Sequence, residues 1–290
     1  MRFSWDLIEP VLPVPYVPTL GPVRRDDPVR DLFEAVVENA GTGRFLPYDK
    51  DQRWSPTKTE RVILDAIEHD RRLTLIPTFS ERGGGVVKVH VYGSTPDSLS
   101  VAAVLAGKLA AAYGARQARV VWFLGPEHSE AYARGVGTRV QLKDFAAGPG
   151  EAPGVPVLEY GPLDEPEQFR VFANQMAAHG FAFLHEQMLD GAVGPVLVVL
   201  DDGVVAGAIG PMETMGDAAG RLRLLPQYFG VLPQYRGRGY GRALWRAAMH
   251  WGHDHGASYQ LLQTEVGGAS DRLCAAEGLT SLGFVNQTTV

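Results

Sequence analysis

The chain has 290 residues, of which 45% are hydrophobic and 21% are charged, and its formal net charge is −6 at pH 7. This composition is typical of a globular protein and excludes a disordered or coiled-coil chain. A pI near 5.8 also argues against nucleic-acid binding, which requires many Lys and Arg to neutralise phosphates.

The single cysteine, Cys274, excludes an intrachain disulfide and a thiolate metal cluster. No apolar run follows a basic start, so we expect no signal peptide. The longest apolar stretch, 101–113, is shorter than a bilayer span and contains Lys108. The sequence therefore predicts a cytoplasmic protein with no metal and no membrane partner.

In the first half, residues 1–27 are rich in proline and predict an extended arm. Helical patterns follow Pro28 and Pro56, and the second has Val62, Ile63, Ala66 and Ile67 on one face. Strand and helix patterns then alternate: strands are predicted at 73–79, 86–92, 118–124 and 138–145, and helices at 99–113 and 126–133.

Residues 146–156 read AAGPGEAPGVP, and this Gly- and Pro-rich composition marks a linker. We therefore predict an N-terminal α/β domain at 1–146, a linker at 147–155 and a second domain at 156–290.

In the second half, the Asp202-Gly203 pair predicts a tight hairpin. Strands are predicted at 157–160, 195–200, 204–209, 221–231, 259–265 and 284–288, and helices at 165–178, 181–189, 240–255 and 270–276. This order predicts an α/β fold with a mixed sheet.

The charges are distributed unevenly. Residues 1–155 carry 19 basic and 19 acidic side chains, whereas residues 156–290 carry 8 and 14. Four of those eight basic residues fall within eleven positions: Arg236, Arg238, Arg242 and Arg246. This cluster predicts an anion-binding site, and the acidic remainder favours a cationic substrate.

The arginine cluster lies in a glycine-rich loop between a predicted strand and a predicted helix, with the sequence VLPQYRGRGYGRAL at 231–244. Such a loop directs several backbone N–H groups toward a positive helix end, where a phosphate binds. Without a ligand, alternating glycines would only lower the stability of a solvated turn.

The loop resembles the Arg/Gln-x-x-Gly-x-Gly/Ala signature of the GNAT superfamily of acetyl-CoA-dependent N-acyltransferases, with Arg236, Gly239 and Gly241 at the motif positions. The resemblance covers about 156–290 and includes Ala275 and the Leu282-Gly283-Phe284 turn. It implies that the pantetheine of acetyl-CoA pairs with Phe229, Gly230 and Val231. It also implies that the diphosphate binds at the loop, which comprises Arg236, Gly237, Arg238, Gly239, Tyr240, Gly241 and Arg242.

One position departs from the family pattern. Members often have a tyrosine four residues before the later glycine, where it protonates the CoA thiolate, but Leu279 stands there. Tyr228 or Tyr259 are alternatives for this acid. For the general base, Glu265 and Glu213 are the candidates, and both also suit solvated strand ends. Positioning and a backbone N–H at the thioester carbonyl are a further source of rate.

Three other sequence features could be taken for a functional site, but each has a simpler interpretation. Gly237-x-Gly239 with Glu265 imitates a dinucleotide-binding fingerprint, but too little chain follows for that fold. The histidines at 250, 253 and 255 suit a helix C-terminus better than a metal. Cys274 is expected to be a small core residue.

The order of elements at 86–145 repeats that at 221–288, which predicts a tandem whose N-terminal copy is degenerate. Its loop at 93–98 lacks the arginines and contains Asp97, so we expect no CoA there. The function implied is acetyl transfer from acetyl-CoA to a small-molecule amine in a ternary complex. The alternatives are a protein lysine or N-terminal acetyltransferase, favoured by an open groove, and a non-catalytic CoA-binding regulator.

Overall fold

The computed structural model describes residues 16–17, 21–22, 60–69, 73–93, 97–124, 126, 137–160, 166–216 and 220–290. Contacts divide the chain into two compact units. The first unit comprises Met1–Leu142, Asp217–Ala219 and Leu261–Val290, and the second comprises Lys143–Gly216 and Gly220–Gln260. The predicted domains at 1–146 and 156–290 stay a prediction, because the units follow contacts and not chain order.

Strands of the first half include a short antiparallel pair, β1 (Tyr16–Val17) and β2 (Gly21–Pro22). The others are β3 (Glu60–Val62), β4 (Glu68–His69), β5 (Leu73–Ser80), β6 (Val86–Gly93), β7 (Gln117–Leu124) and β8 (Gly137–Asp144), with helix α1 (Ser98–Tyr113) between β6 and β7. These bounds agree with the predictions at 73–145, apart from the helix predicted at 126–133, most of which lies outside the described residues.

The helix predicted after Pro56 is wrong in its described part. Glu60–Val62 is a strand paired with β5, where Val62 lies opposite Thr78, and only a single 3-10 turn follows at Leu64–Ala66. Sheet pairing outweighed the helical spacing of the apolar residues, and β-branched Val62 and Ile63 suit the extended conformation. The helix predicted after Pro28 lies outside the described residues.

In the first unit, β5 and β6 form an antiparallel hairpin, and α1 connects β6 to the parallel strand β7. The buried face of α1 is made of small side chains, Ala102, Ala106 and Ala110, which lets the helix lie close to the valines of β6 and β7. That residues 86–145 form a degenerate second copy stays a prediction.

Elements of the second half are β9 (Leu158–Tyr160), α2 (Pro166–Gln175), α3 (Phe181–Leu189), β10 (Val196–Asp201), β11 (Val204–Gly210), β12 (Thr214–Gly216), β13 (Leu222–Leu224), β14 (Tyr228–Val231), α4 (Tyr240–Asp254), β15 (Tyr259–Glu265), α5 (Ala269–Ala276) and β16 (Thr280–Thr289). The strand predicted at 221–231 is two strands, and β12 was not predicted. The other elements lie where they were predicted, although β16 is longer.

The second unit contains a four-stranded sheet in the order β14-β11-β10-β9. Its core is an aromatic and aliphatic cluster from α2, α3 and the strands, including Phe169, Phe172, Phe181 and Leu184. Helix α4 buries one face, which includes Gly252. This glycine lies so close to Leu224 that a Cβ on residue 252 would be 2.8 Å from the Cδ2 of Leu224. The core thus fixes both the strand and the helix that flank the glycine-rich loop.

Strand β16 lies between β7 and β8 and pairs antiparallel with both, all within the first unit. Helix α5 precedes this strand in the chain, and its Asp271 is buried. The Asp271 carboxylate accepts hydrogen bonds from Arg139 and Gln141 of β8 and from Thr264 of β15. Segments from the two ends of the chain therefore share one folded unit.

Candidate functional site

The candidate site is built on β14, which is an edge strand of the four-stranded sheet. Its inner side pairs antiparallel with β11 from Gly207↔Val231 to Gly210↔Tyr228, and the Leu232 N–H donates to the Ala206 carbonyl at 2.9 Å. Because backbone groups alternate along a strand, the N–H groups of Phe229 and Val231 point to the opposite, edge side. That side can pair with the amides of an extended ligand.

The edge exists because the chain bends between β13 and β14. Strand β13 pairs parallel with β15 at Arg223↔Tyr259 and Leu224↔Gln260. The segment Leu225–Gln227 then leaves that pairing, and β14 continues alongside β11 only. The chain therefore changes its strand partner within three residues.

A buried glutamine holds this bend. The side chain of Gln260 is 1% exposed, and its Nε2 donates to Gln227 Oε1 at 2.9 Å and to the Leu225 carbonyl at 3.3 Å. Gln227 Nε2 donates to the same carbonyl. These bonds satisfy a carbonyl that has lost its strand partner, as a buried acceptor requires. Sequence analysis missed both glutamines.

The loop after β14 begins with a 3-10 turn at Pro233–Tyr235 and reaches α4 at Tyr240. Gly237 and Gly239 have φ values of 81° and 86°, a region that favours glycine. The residue that precedes α4 is Gly239, which has no side chain to cap the first N–H groups of the helix. These N–H groups therefore remain available to an anion at the positive helix end.

Arg236, Arg238 and Arg246 of the cluster have different partners. Arg236 Nε donates to the Val231 carbonyl at 3.1 Å, and Arg238 Nη1 forms an ion pair of 2.6 Å with Asp201. Arg246 lies along α4 and forms an ion pair of 2.7 Å with Glu151. Arg238 and Arg246 thus each contact a carboxylate, and the role of the cluster at an anion stays a prediction.

Asp201 also accepts a hydrogen bond from the Tyr240 hydroxyl at 2.8 Å. That hydrogen bond, with some burial, raises the pKa of Tyr240, and the charge of Asp201 raises the pKa of Arg238. Both shifts favour the protonated forms, a neutral Tyr240 that donates its hydrogen and a cationic Arg238. The sequence did not predict this contact of Asp201, because no local pattern connects the residue to the loop.

The candidate catalytic residues lie in different parts of the fold. Tyr228, at the start of β14, is half-buried and packs its ring against Gly180 and near Phe181. Glu213 Oε1 accepts the Gly194 N–H at 2.9 Å. Glu265 is exposed at the end of β15 and belongs to the first unit. Their roles stay predictions.

Several other sequence features have structural partners. His250 Nε2 lies 3.2 Å from the Glu151 carbonyl, and the His255 ring stacks on Trp251 at 3.8 Å. Burial raises the pKa of the Cys274 thiol to about 12. Across the described ranges, no group of three His, Cys, Asp or Glu side chains could hold a metal. No helix in that part of the chain is both long and apolar enough to cross a membrane.

Residues 163–275 match the model of the Acetyltransferase (GNAT) family, so the chain carries a GNAT domain. This match spans β14, the glycine-rich loop and α4, which are the elements of the candidate site. The GNAT domain expected from the loop signature is confirmed over residues 163–275, and the mixed α/β fold is confirmed as well. A comparison with curated proteins gave no match.

Solved structures share this fold. A GNAT acetyltransferase from Colwellia psychrerythraea is 12% identical, with 91% of this chain and 97% of that chain covered and a TM-score of 0.51. A GCN5-related N-acetyltransferase from Sphaerobacter thermophilus is 15% identical, with 77% and 81% covered and a TM-score of 0.49. A tandem GNAT protein of the clavulanic acid biosynthesis pathway is 15% identical, with 76% and 78% covered and a TM-score of 0.44. At these identities the similarity concerns the fold alone. Of the three structures, only the Colwellia protein has a TM-score above 0.5 and supports the fold assignment.

Proposed function

We propose that this chain, through its GNAT domain, transfers the acetyl group of acetyl-CoA to the amine of a small molecule in a ternary complex. The observation that carries the proposal is the continuous run from the edge of β14 through the loop with Gly237 and Gly239 to the uncapped start of α4. An extended chain that ends in a diphosphate, as CoA does, matches an edge strand followed by a helix N-terminus.

In this proposal the pantetheine amides pair with the edge side of Phe229 and Val231. The diphosphate binds the N–H groups of the loop and the first turn of α4, with Arg236 and Arg242 adding positive charge. The acetyl end then lies toward Tyr228, where β14 begins. The amine nitrogen bonds to the thioester carbon, the C–S bond breaks, and a proton passes from the nitrogen to the CoA sulfur.

The base and the acid for these proton transfers are also proposed. Glu265 is exposed at a strand end, and so it is available to take a proton, whereas Glu213 already accepts the Gly194 N–H. Tyr228 is the proposed acid, because Leu279 supplies no proton where many family members have tyrosine. Positioning of the amine supplies much of the rate if neither carboxylate takes part.

The first unit supports the proposal that the N-terminal copy binds no CoA. Its parallel strands β6 and β7 pair from Val86↔Gln117 to Val91↔Trp122. The corresponding strands of the second unit pair only at Arg223↔Tyr259 and Leu224↔Gln260. A parallel pair that continues for six residues leaves no free strand edge for pantetheine.

Two further parts of the proposal rest on composition. The acidic excess of residues 156–290 favours a cationic amine over a neutral acceptor. The single cysteine is free and buried, which suits the reducing cytoplasm.

The test is release of CoA thiol from acetyl-CoA across a panel of small amines, peptides with lysine and peptides with a free N-terminus. We expect a small amine to accelerate thiol release most. Gly239→Glu is the negative control, and we expect it to abolish CoA binding. It places a carboxylate at the proposed anion site and a side chain at a residue whose φ is 86°. Acceleration by peptides alone would support a protein acetyltransferase, and CoA binding without acceleration would support the regulator.

A further inference from the structure

Asp201 connects the hairpin of the second unit to the glycine-rich loop. It is the last residue of β10, and its side chain is 15% exposed. Its Oδ2 accepts a hydrogen bond from Arg238 Nη1 at 2.6 Å and one from the Tyr240 hydroxyl at 2.8 Å. One carboxylate oxygen therefore binds two loop residues that are neighbours of the same glycine.

The glycine between these donors is Gly239, whose φ is 86°. Glycine gives the chain many alternative conformations, so a loop with Gly237 and Gly239 would sample several arrangements if it were unsupported. Binding the side chains on both sides of Gly239 removes most of that freedom. The ring of Tyr235 also contacts this arginine, with its centroid 5.3 Å from the Arg238 guanidinium carbon.

The platform that carries Asp201 is itself rigid. Strands β10 and β11 pair at Asp201↔Val204, and the turn residues Asp202 and Gly203 have φ values of 49° and 78°. These values match the tight turn that suits the twist of a hairpin. The carboxylate is therefore held by a sheet and not by a second loop.

We propose that Asp201 is a positioning residue that fixes the glycine-rich loop in its acetyl-CoA-binding conformation. This inference rests on the proposed function. A loop that is ordered before it binds avoids the entropy cost of ordering on binding. Arg238 acts in this arrangement as a strut to Asp201, and the diphosphate is bound by backbone N–H groups and the other arginines.

Electrostatics and positioning predict opposite effects of removing this acid. Asp201 is a negative charge near a proposed diphosphate site, so simple repulsion predicts that its removal tightens CoA binding. Positioning predicts that its removal weakens binding, since the loop must then be ordered by the ligand. The sign of the change in KM therefore separates the two.

The experiment compares Asp201→Ala and Asp201→Asn with Asp202→Asn, which removes a charge from the adjacent, exposed position. We expect Asp201→Ala to raise the KM for acetyl-CoA about tenfold with kcat within about twofold, because only loop order is lost. Asparagine retains a hydrogen-bond acceptor, so its effect is intermediate. Asp202→Asn leaves both constants unchanged.

Tyr240→Phe tests whether the two donors act together. Added to Asp201→Ala, it causes little further rise in KM, since both substitutions break the same contact. If wild-type protein binds acetyl-CoA and the KM of Asp201→Ala is unchanged or lower, the positioning role of Asp201 is overturned but the proposed function is not. Wild-type protein that does not bind CoA overturns the proposed function, and with it this role.

Discussion

Three glycines in the loop contribute in different ways. Gly237 and Gly239 adopt positive φ, so their need for glycine is conformational. Gly241 has an ordinary helical conformation in the first turn of α4, and a Cβ there would lie 3.5 Å from Phe229 Cζ, which is normal van der Waals contact. The protein itself therefore does not require glycine at 241, but close approach of a ligand to the helix N-terminus would.

Gly241→Ala separates stability from binding. Alanine in a helix is favoured over glycine by about 1 kcal/mol, so we expect unfolding in urea to shift slightly toward higher stability. The affinity for CoA, measured by calorimetry, should fall about tenfold, because a methyl group enters the approach to the N–H groups.

The matched control is Gly107→Ala, an exposed glycine in α1 whose Cβ would have nothing within 4 Å. It should bring the same gain in stability and no change in CoA affinity. An undiminished affinity in Gly241→Ala would argue against a phosphate at this helix end.

At the scale of elements, the bend between β13 and β14 determines whether a free strand edge exists. The predicted single strand at 221–231 overlooked Pro226, which has no N–H to donate to a strand ladder and lies in the break between β13 and β14. The bend depends on Gln260, which is more than thirty residues away in sequence. Local patterns predicted most strands and helices and the hairpin, but they failed at Glu60–Val62, at β12 and at the break between β13 and β14, and they could not predict contacts between distant residues.

Gln260→Met tests this bend. It removes both hydrogen bonds of Nε2 and also the buried Oε1, which has no partner within the described residues. Because one loss offsets the other, we expect a change of only about 1 kcal/mol in the free energy of unfolding. The KM for acetyl-CoA should rise several-fold, since the edge of β14 is no longer held in place.

Gln227→Ala should raise the KM similarly, and the double variant should be no worse than either single one. The control is Gln287→Met, which changes an exposed glutamine of β16. A large loss of stability without any change in KM would assign Gln260 a purely structural role.

At the scale of the whole molecule, Asp271 joins α5 to β8, which lies more than a hundred residues earlier in the chain. Its carboxylate accepts the Gly267 N–H at 2.9 Å, Arg139 Nε at 2.8 Å and Thr264 Oγ1 at 2.8 Å. Burial alone would raise the pKa of Asp271, but these hydrogen bonds and the charge of Arg139 hold it below its usual value. The folded protein therefore favours the ionised carboxylate.

This shift predicts how stability depends on pH. A carboxyl group with a lowered pKa stabilises the fold above its unfolded pKa of about 3.9 and loses that contribution as the pH falls through the folded value. Asp271→Asn should lower the free energy of unfolding at pH 7 by about 3–5 kcal/mol, because Arg139 is left buried without its partner.

The measurement is urea unfolding at pH 7 and at pH 3. The difference between wild type and Asp271→Asn should shrink at the lower pH. Asp254→Asn, which changes an exposed carboxylate of α4, should match wild type at both values. A difference of equal size at the two pH values would contradict an ionised Asp271 in the fold.

The place of β16 between β7 and β8 has a consequence for protein synthesis. The ribosome releases β7 and β8 more than a hundred residues before β16, and at about 5–20 residues per second this delay is on the order of ten seconds. During that interval β7 lacks its neighbour on one side, and β8 lacks both of its neighbours, β15 and β16. The strand that must lie between β7 and β8 is therefore synthesised last. A chaperone that shields the uncovered strand edges would raise the yield of folded protein.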